Sequence, residues 1–148
     1  MANAEAGLKR ILGHAENRGV VLVMELLNSK VNHKDYMCDR TPWGVELVKR
    51  VGSERFKLLY DIYHMQIMEG DLARGIEMNL ALIPHMQLAD NPGRHEPGTG
   101  EINYRFLFHR VDALGYRGWI GCEYKPKDSS PGGTDRGLGW MTCHDAAV

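Results

Sequence analysis

Residues Val20-Val-Leu-Val-Met-Glu25 form a continuous run of apolar side chains that ends in a carboxylate. A continuous β-branched run of this length is typical of a parallel strand that is buried on both faces. Just upstream, residues 5–18 place apolar side chains at helical spacing and end before Gly19, which predicts a helix. A helix joined directly to such a strand is the repeating unit of an α/β protein.

The same alternation continues along the rest of the chain. Three more strands are predicted, at residues 56–61, 83–89 and 119–123. Helices are predicted between them: one begins at Thr41-Pro42, and two more lie at residues 72–82 and 104–114. Strands and helices at this spacing form right-handed βα units on a parallel sheet. We therefore predict one α/β domain over residues 1–148, with a loop-rich tail at 127–148 that carries one short helix.

Composition limits the classes of protein that are possible. The 148 residues are 43% hydrophobic and carry a formal net charge of −1, which suits one domain and disfavours a nucleic-acid binder. The longest apolar run is far shorter than the ~20 residues of a membrane span, and the N-terminal residues lack the pattern of a signal peptide. Cys38, Cys122 and Cys143 show no disulfide or zinc spacing, and we expect Cys122 to be buried. We expect a cytoplasmic protein with no membrane or nucleic-acid partner.

Each predicted strand ends with an acid or an amide. These four residues are Glu25, Asp61, Gln87 and Glu123. The carboxyl ends of parallel strands form the site in α/β proteins, although each residue could instead cap the turn that follows it. Three carboxylates and an amide at one point would repel each other without a cation. Oxygen ligands favour Mg²⁺ or Mn²⁺ over a thiolate-bound zinc.

The loops after these strand ends carry further candidates for substrate binding. His64 follows Asp61 by three residues, and Lys125 follows Glu123 by two. Arg94 lies in Asn91-Pro-Gly-Arg-His-Glu96, and its guanidinium fork suits a substrate carboxylate or hydroxyl. Five other histidines are interpreted as solvated bystanders: His14, His33, His85, His109 and His144.

Five segments give the chain a family resemblance. They are Met24-Glu-Leu-Leu-Asn28, Leu59-Tyr-Asp-Ile-Tyr-His-Met-Gln66, Pro84-His-Met-Gln-Leu-Ala-Asp90, Pro92-Gly-Arg-His-Glu-Pro-Gly-Thr-Gly-Glu-Ile-Asn-Tyr104 and Gly115-Tyr-Arg-Gly-Trp-Ile-Gly-Cys-Glu-Tyr-Lys-Pro126. With these motifs the chain resembles the hydroxypyruvate isomerase family, within the xylose-isomerase-like group of TIM barrels. The resemblance covers residues 19–140 and implies the C-terminal half of a (β/α)₈ barrel. One departure is Glu25-Leu-Leu-Asn28, where many members have proline after the glutamate.

The resemblance also implies roles for the candidate residues. The metal ligands would be Glu25, Asp61, Gln87 and Glu123. The pair Glu25 and Glu123 would move protons on opposite sides of the substrate, and His64, Arg94 and Lys125 would bind it. Relatives that epimerise ketoses have histidine at the position of Gln87, so the glutamine favours the hydroxypyruvate branch. The implied reaction interconverts hydroxypyruvate and 2-hydroxy-3-oxopropanoate through an enediolate, with a divalent ion at the developing oxyanion.

Four βα units are only half of the eight in a barrel of about 250 residues. A half-barrel has two open sheet edges and an uncovered inner face. We therefore expect either a homo-oligomer, in which two copies close the barrel, or a missing N-terminal half-barrel. Two other functions remain open: a ketose 3-epimerase or other sugar isomerase, and a non-catalytic half-barrel. A metal-dependent DNA-repair endonuclease of similar barrel type would need more histidine ligands and a basic face, and this composition offers neither.

Overall fold

Four parallel strands form one sheet in the computed structural model, which describes residues 1–141. The strands are β1 Leu22–Glu25, β2 Phe56–Asp61, β3 His85–Leu88 and β4 Trp119–Cys122. Their order in the sheet is β1-β2-β3-β4, so each pairs with the next strand along the chain. This confirms the predicted parallel α/β half-barrel. The end of the predicted tail, with Cys143 and His144, lies outside the described residues.

Helices connect the strands at nearly the predicted positions. They are α1 Ala2–Arg18, α2 Thr41–Val51, α3 Ile62–Met68, α4 Leu72–Asn79, α5 Tyr104–Ala113 and α6 Gly133–Gly137. The helix predicted at residues 72–82 is α-helical as far as Asn79 and continues as a 3₁₀ turn over Leu80–Leu82. Helix α3 is missing from the sequence-based prediction. None of the helices within the described part of the chain is long and apolar enough to cross a membrane.

The core lies between the sheet and its helices. Leu26, Leu58 and Met86 are fully buried on this side of the sheet. Helix α2 approaches closely at Gly44, where an added Cβ would lie 2.9 Å from the Leu26 and Leu58 side chains. Alternate strand residues face the two sides of a sheet, so this packing directs the odd-numbered residues of β2 to the opposite, inner face. Asp61 is one of these residues, at the carboxyl end of β2.

The inner face of the sheet is open. Val23 is 39% exposed on β1, and Trp119 is 77% exposed on β4. The prediction that the first strand is buried on both faces is therefore wrong, because β1 is an edge strand and none of the residues 1–141 forms a layer over its inner side. Cys122 is likewise exposed rather than buried, because β4 is the opposite edge. The described thiols of Cys38 and Cys122 are both free.

Candidate active site and metal centre

The carboxyl ends of the strands bring the predicted acids together. Asp61 is the direct partner of Gln87 across β2 and β3, and Gln87 is the partner of Gly121 on β4. One ligand atom from each of Glu25, Asp61 and His64 lies within 4.8 Å of the others, an arrangement that could hold a metal ion. The register of the parallel strands thus places the residues at their carboxyl ends next to each other, although these residues are far apart in the sequence.

His64 lies in the first turn of α3, not in a loop. Helix α3 begins here because the Asp61 side chain accepts a hydrogen bond from the His64 backbone N–H at 3.0 Å. The imidazole is fully buried, and its Nε2 lies 3.9 Å from Glu25 Oε1 and 3.8 Å from Asp61 Oδ2. Burial, reinforced by the charges of Arg94 and His33, lowers the pKa of His64 to about 3. The ring is therefore neutral at physiological pH.

Burial, with a smaller contribution from neighbouring carboxylates, raises the pKa of two acids of this cluster. Burial raises the pKa of Asp61 to about 7; the His64 backbone N–H opposes this shift, and the charge of Glu25 adds to it. The pKa of Glu25 is also raised, first by burial and then by the charge of Glu123. Buried acids that destabilise each other's charged forms are typical of metal sites and of catalytic acids and bases.

Arg94 supplies positive charge to this cluster. Its Nη2 donates to Glu123 Oε2 at 2.7 Å and lies 3.9 Å from Asp61 Oδ2. The guanidinium also lies over the Tyr63 ring, 5.0 Å from the centroid. The backbone at Arg94 has φ 53°, and its N–H donates to the Asp90 carbonyl oxygen at 2.8 Å.

Asp90 shapes the loop that carries Arg94. Its buried carboxylate accepts four backbone hydrogen bonds, from Asn91, Gly98, Gly100 and Ile102. Charge-assisted bonds of this kind hold a loop firmly. Asp90 was not among the predicted site residues, although it lies directly after the third strand and before a glycine-rich loop.

A cavity of about 500 Å³ opens beside these groups, lined by Tyr63, Arg94, Glu123 and Lys125 among others. Two contacts hold the backbone of Lys125 against the Arg94 loop. Its N–H donates to the Arg94 carbonyl oxygen at 3.0 Å, and its own carbonyl oxygen lies 2.7 Å from His95 Nδ1. The space is large enough for a small organic acid next to Arg94 and Glu123.

The donor set fits a divalent cation. Gln87 Oε1 is buried and accepts no hydrogen bond from the described residues, although a buried acceptor normally has a partner. It lies on the strand next to Asp61, among carboxylates whose mutual repulsion a cation would relieve. Glu123 is oriented toward Arg94 in this structure. The structure thus brings Glu25 and Asp61 together with His64 and places Gln87 and Glu123 on the adjoining strand ends.

Two residues near His64 were not predicted to take part. Asn28 Nδ2 contacts His64 Nδ1 at 2.6 Å, and the His33 ring packs edge-on against His64 with centroids 5.2 Å apart. The interpretation of His33 as a solvated bystander is therefore wrong. Asn28 closes the first of the five resemblance motifs, and this was the only signal for it in the sequence.

Comparisons with known proteins agree with this architecture. The sequence profile of the xylose isomerase-like TIM barrel family matches residues 1–143. The chain therefore belongs to that family, as the resemblance indicated. It is 45% identical over 119 residues to hydroxypyruvate isomerase of Escherichia coli, covering 78% of this chain and 45% of the relative. It is 43% identical over 127 residues to 2-oxo-tetronate isomerase of Cupriavidus necator, covering 86% of this chain and 47% of the relative.

Solved structures match in the same way. A structure from Brucella melitensis described as an AP endonuclease of family 2 superposes with a TM-score of 0.86 at 36% identity, covering 95% of this chain and 52% of the other. The 3-keto-D-glucoside 4-epimerase of E. coli gives 0.82 at 28% identity, covering 94% of this chain and 52% of the other. The chain spans about half the length of the curated relatives it matches.

Proposed function

We propose that this chain carries the metal-binding half of an isomerase site that interconverts hydroxypyruvate and 2-hydroxy-3-oxopropanoate. The observation that carries the proposal is the convergence of Glu25, Asp61 and Glu123 with Arg94 at the carboxyl end of the sheet. The relatives named hydroxypyruvate isomerase and 2-oxo-tetronate isomerase support it, since both names describe small hydroxy-carbonyl acids as substrates.

Glu25, Asp61, Gln87 and Glu123 would hold the cation, which we propose to be Mg²⁺ or Mn²⁺ because the donors are oxygens. When bound, the ion would supply positive charge to the substrate oxygens on which negative charge develops. His64 lies close enough to the same acids to be an alternative ligand.

Isomerisation requires removal of one proton from C3 of hydroxypyruvate and delivery of another to C2. The first step leaves an enediolate with negative charge on the C2 oxygen. The second step forms the C2–H bond, and the proton of the C3 hydroxyl passes to the C2 oxygen, so that C3 becomes the aldehyde and the C2 oxygen becomes the hydroxyl. We assign the two transfers to Glu25 and Glu123, one on each side of the substrate. Burial raises the pKa of Glu25, which makes a carboxyl group better able to hold a proton between the two steps.

Arg94 and Lys125 would bind the substrate carboxylate. Arg94 reaches into the cavity from a loop anchored by Asp90, and Lys125 lines the same cavity. A guanidinium fork matches the two oxygens of a carboxylate, and a ketose has no carboxylate. This pair therefore favours an acid as substrate.

A ketose epimerase is the second candidate, because the structural match to the E. coli 3-keto-D-glucoside 4-epimerase extends over nearly the whole chain. Such a reaction would use the same pair of carboxylates on a longer, neutral substrate. A non-catalytic half-barrel that only binds metal or a small acid is the remaining alternative.

The test is an NMR assay in D₂O with Mg²⁺, using the chain alone and fused to the N-terminal half of the E. coli relative. We expect hydroxypyruvate to give 2-hydroxy-3-oxopropanoate that carries deuterium at C2. Glu123→Gln should abolish turnover, while Glu77→Gln, an exposed acid paired with Arg110 on the outer helices, should retain it. A folded, metal-bound fusion that leaves hydroxypyruvate unchanged would contradict the proposal. Turnover of ketoses instead would establish the second candidate.

A further inference from the structure

The orientation of the Asn28 side-chain amide is fixed by its surroundings. Its Oδ1 accepts the backbone N–H groups of Val31 at 3.0 Å and Asn32 at 2.9 Å. A backbone N–H only donates, so the atom that faces these two groups is the oxygen and the Nδ2 points the other way. Asn28 is fully buried, and the two bonds hold its amide in this orientation.

The Asn28 Nδ2 group carries two hydrogens and faces two acceptor atoms. One acceptor is Asn32 Oδ1 at 2.9 Å, and the other is His64 Nδ1 at 2.6 Å. A ring nitrogen that faces an amide N–H accepts, and therefore carries no hydrogen itself. The imidazole must then hold its proton on Nε2. Side-chain geometry alone thus decides which nitrogen of His64 is protonated.

The protonated nitrogen faces the acids of the site. His64 Nε2 lies between Glu25 Oε1 and Asp61 Oδ2, at 3.9 Å and 3.8 Å, and forms no hydrogen bond with the described residues. The rings of His33 and Tyr63 pack edge-on against the imidazole, each with centroids 5.2 Å apart, and so restrict its rotation.

We propose that Asn28 is a positioning residue that locks His64 as the Nε2–H tautomer, so that His64 donates a hydrogen bond to a substrate oxygen and does not bind the metal. A nitrogen that carries hydrogen has no lone pair for a cation, which leaves the ion to Glu25, Asp61, Gln87 and Glu123. An N–H fixed toward a carbonyl oxygen stabilises negative charge as it develops there. The substrate role rests on the proposed isomerase function, whereas the tautomer does not.

The test is the ¹⁵N spectrum of histidine-labelled protein without metal or substrate, with the His64 signals identified by their loss in His64→Gln. We expect an unprotonated Nδ1 and a protonated Nε2 in the wild type, unchanged after addition of Mg²⁺. In Asn28→Asp the carboxylate can only accept, so it should draw the proton to Nδ1 and reverse the pattern. Asn32→Asp is the matched control, because it adds the same charge but keeps the oxygen that accepts from Asn28.

A proton on Nδ1 in the wild type would overturn the proposal, and so would Asn28→Asp protein that keeps the wild-type pattern. Loss of the Nε2 proton on addition of Mg²⁺ would show that His64 is a ligand instead. The wild-type spectrum decides the tautomer even where Asn28→Asp fails to fold. These spectra need no substrate, so an inactive protein and a wrong tautomer are separate results. In the active fusion, Asn28→Asp should lower kcat about 100-fold, with a much smaller change in KM.

Discussion

Arg94 Nη2 lies 2.7 Å from Glu123 Oε2, and this contact joins the loop after β3 to the end of β4. The same nitrogen is 3.9 Å from Asp61 Oδ2, so one guanidinium partly neutralises two acids of the site. A divalent cation at these acids would have to share them with Arg94. In the proposed site, Arg94 would therefore link substrate binding to metal binding, and the link can be measured.

Replacing Arg94 with methionine should tighten Mn²⁺ binding about tenfold, because its positive charge lies within 4 Å of Asp61, a proposed ligand, and opposes a cation there. Isothermal titration with Mn²⁺ alone measures this change. Arg105→Met removes an exposed charge on α5 and serves as the matched control. Weaker Mn²⁺ binding by Arg94→Met would show that the guanidinium supports the metal ligands instead of competing with the ion.

Asp61 should make the metal-free protein less stable as the pH rises. Burial raises the pKa of Asp61 to about 7, so between about pH 4 and that value the folded state binds more protons than the unfolded state. The free energy of unfolding must then fall with increasing pH, by about 1.4 kcal/mol for each unit of the shift.

Asp61→Asn removes this titration, so its stability relative to wild type should increase from about pH 4 to about pH 8. Urea denaturation in the presence of EDTA measures the difference. Asp112→Asn, an exposed residue of α5, should follow the wild-type curve. Parallel curves for wild type and Asp61→Asn would contradict the shifted pKa.

Asp90→Asn should destabilise the protein by about 3 kcal/mol. Oδ1 of Asp90 accepts from Asn91 and Ile102, and Oδ2 accepts from Gly98 and Gly100. Whichever way the new amide turns, its NH₂ group faces two backbone N–H donors. Chemical denaturation beside Asp112→Asn measures the loss. A change of less than about 0.5 kcal/mol would mean that the loop holds its shape without this carboxylate.

The open edges of the sheet should cause association. Trp119 is 77% exposed on the edge strand β4, and Val23 is 39% exposed on β1. We expect light scattering after size exclusion to show a dimer or larger species for the isolated chain, and Trp119→Lys to shift it toward the monomer. Wild-type protein that elutes as a stable monomer would contradict this expectation. Fusion to the complementary half-barrel should also suppress association.

Much of the fold was predictable because its signals are local. The strand at Phe56–Asp61 has the predicted bounds, since an apolar run followed by an acid marks the end of a buried strand. The grouping of Glu25, Asp61 and Gln87 follows from the parallel order of the strands alone.

Other features depend on partners that are distant in sequence. Helix α3 is only seven residues long, and the Asp61 side chain caps its first turn. The Asn28–His64 bond joins residues 36 positions apart, so no local pattern reveals it. The exposure of Val23 and Cys122 depends on the absence of a strand beyond each edge of the described sheet, whereas sequence patterns assume a complete one.

Metal binding by the strand-end acids can be measured by titrating the wild-type chain with Mn²⁺ and following the free ion by electron paramagnetic resonance. Acids that converge at the strand ends should bind one Mn²⁺ per chain, and Glu25→Gln should weaken that binding at least tenfold, because it removes one negatively charged ligand. Glu77→Gln should bind like the wild type. Wild-type protein that leaves Mn²⁺ free, or Glu25→Gln protein with unchanged affinity, would contradict the assignment of the metal centre.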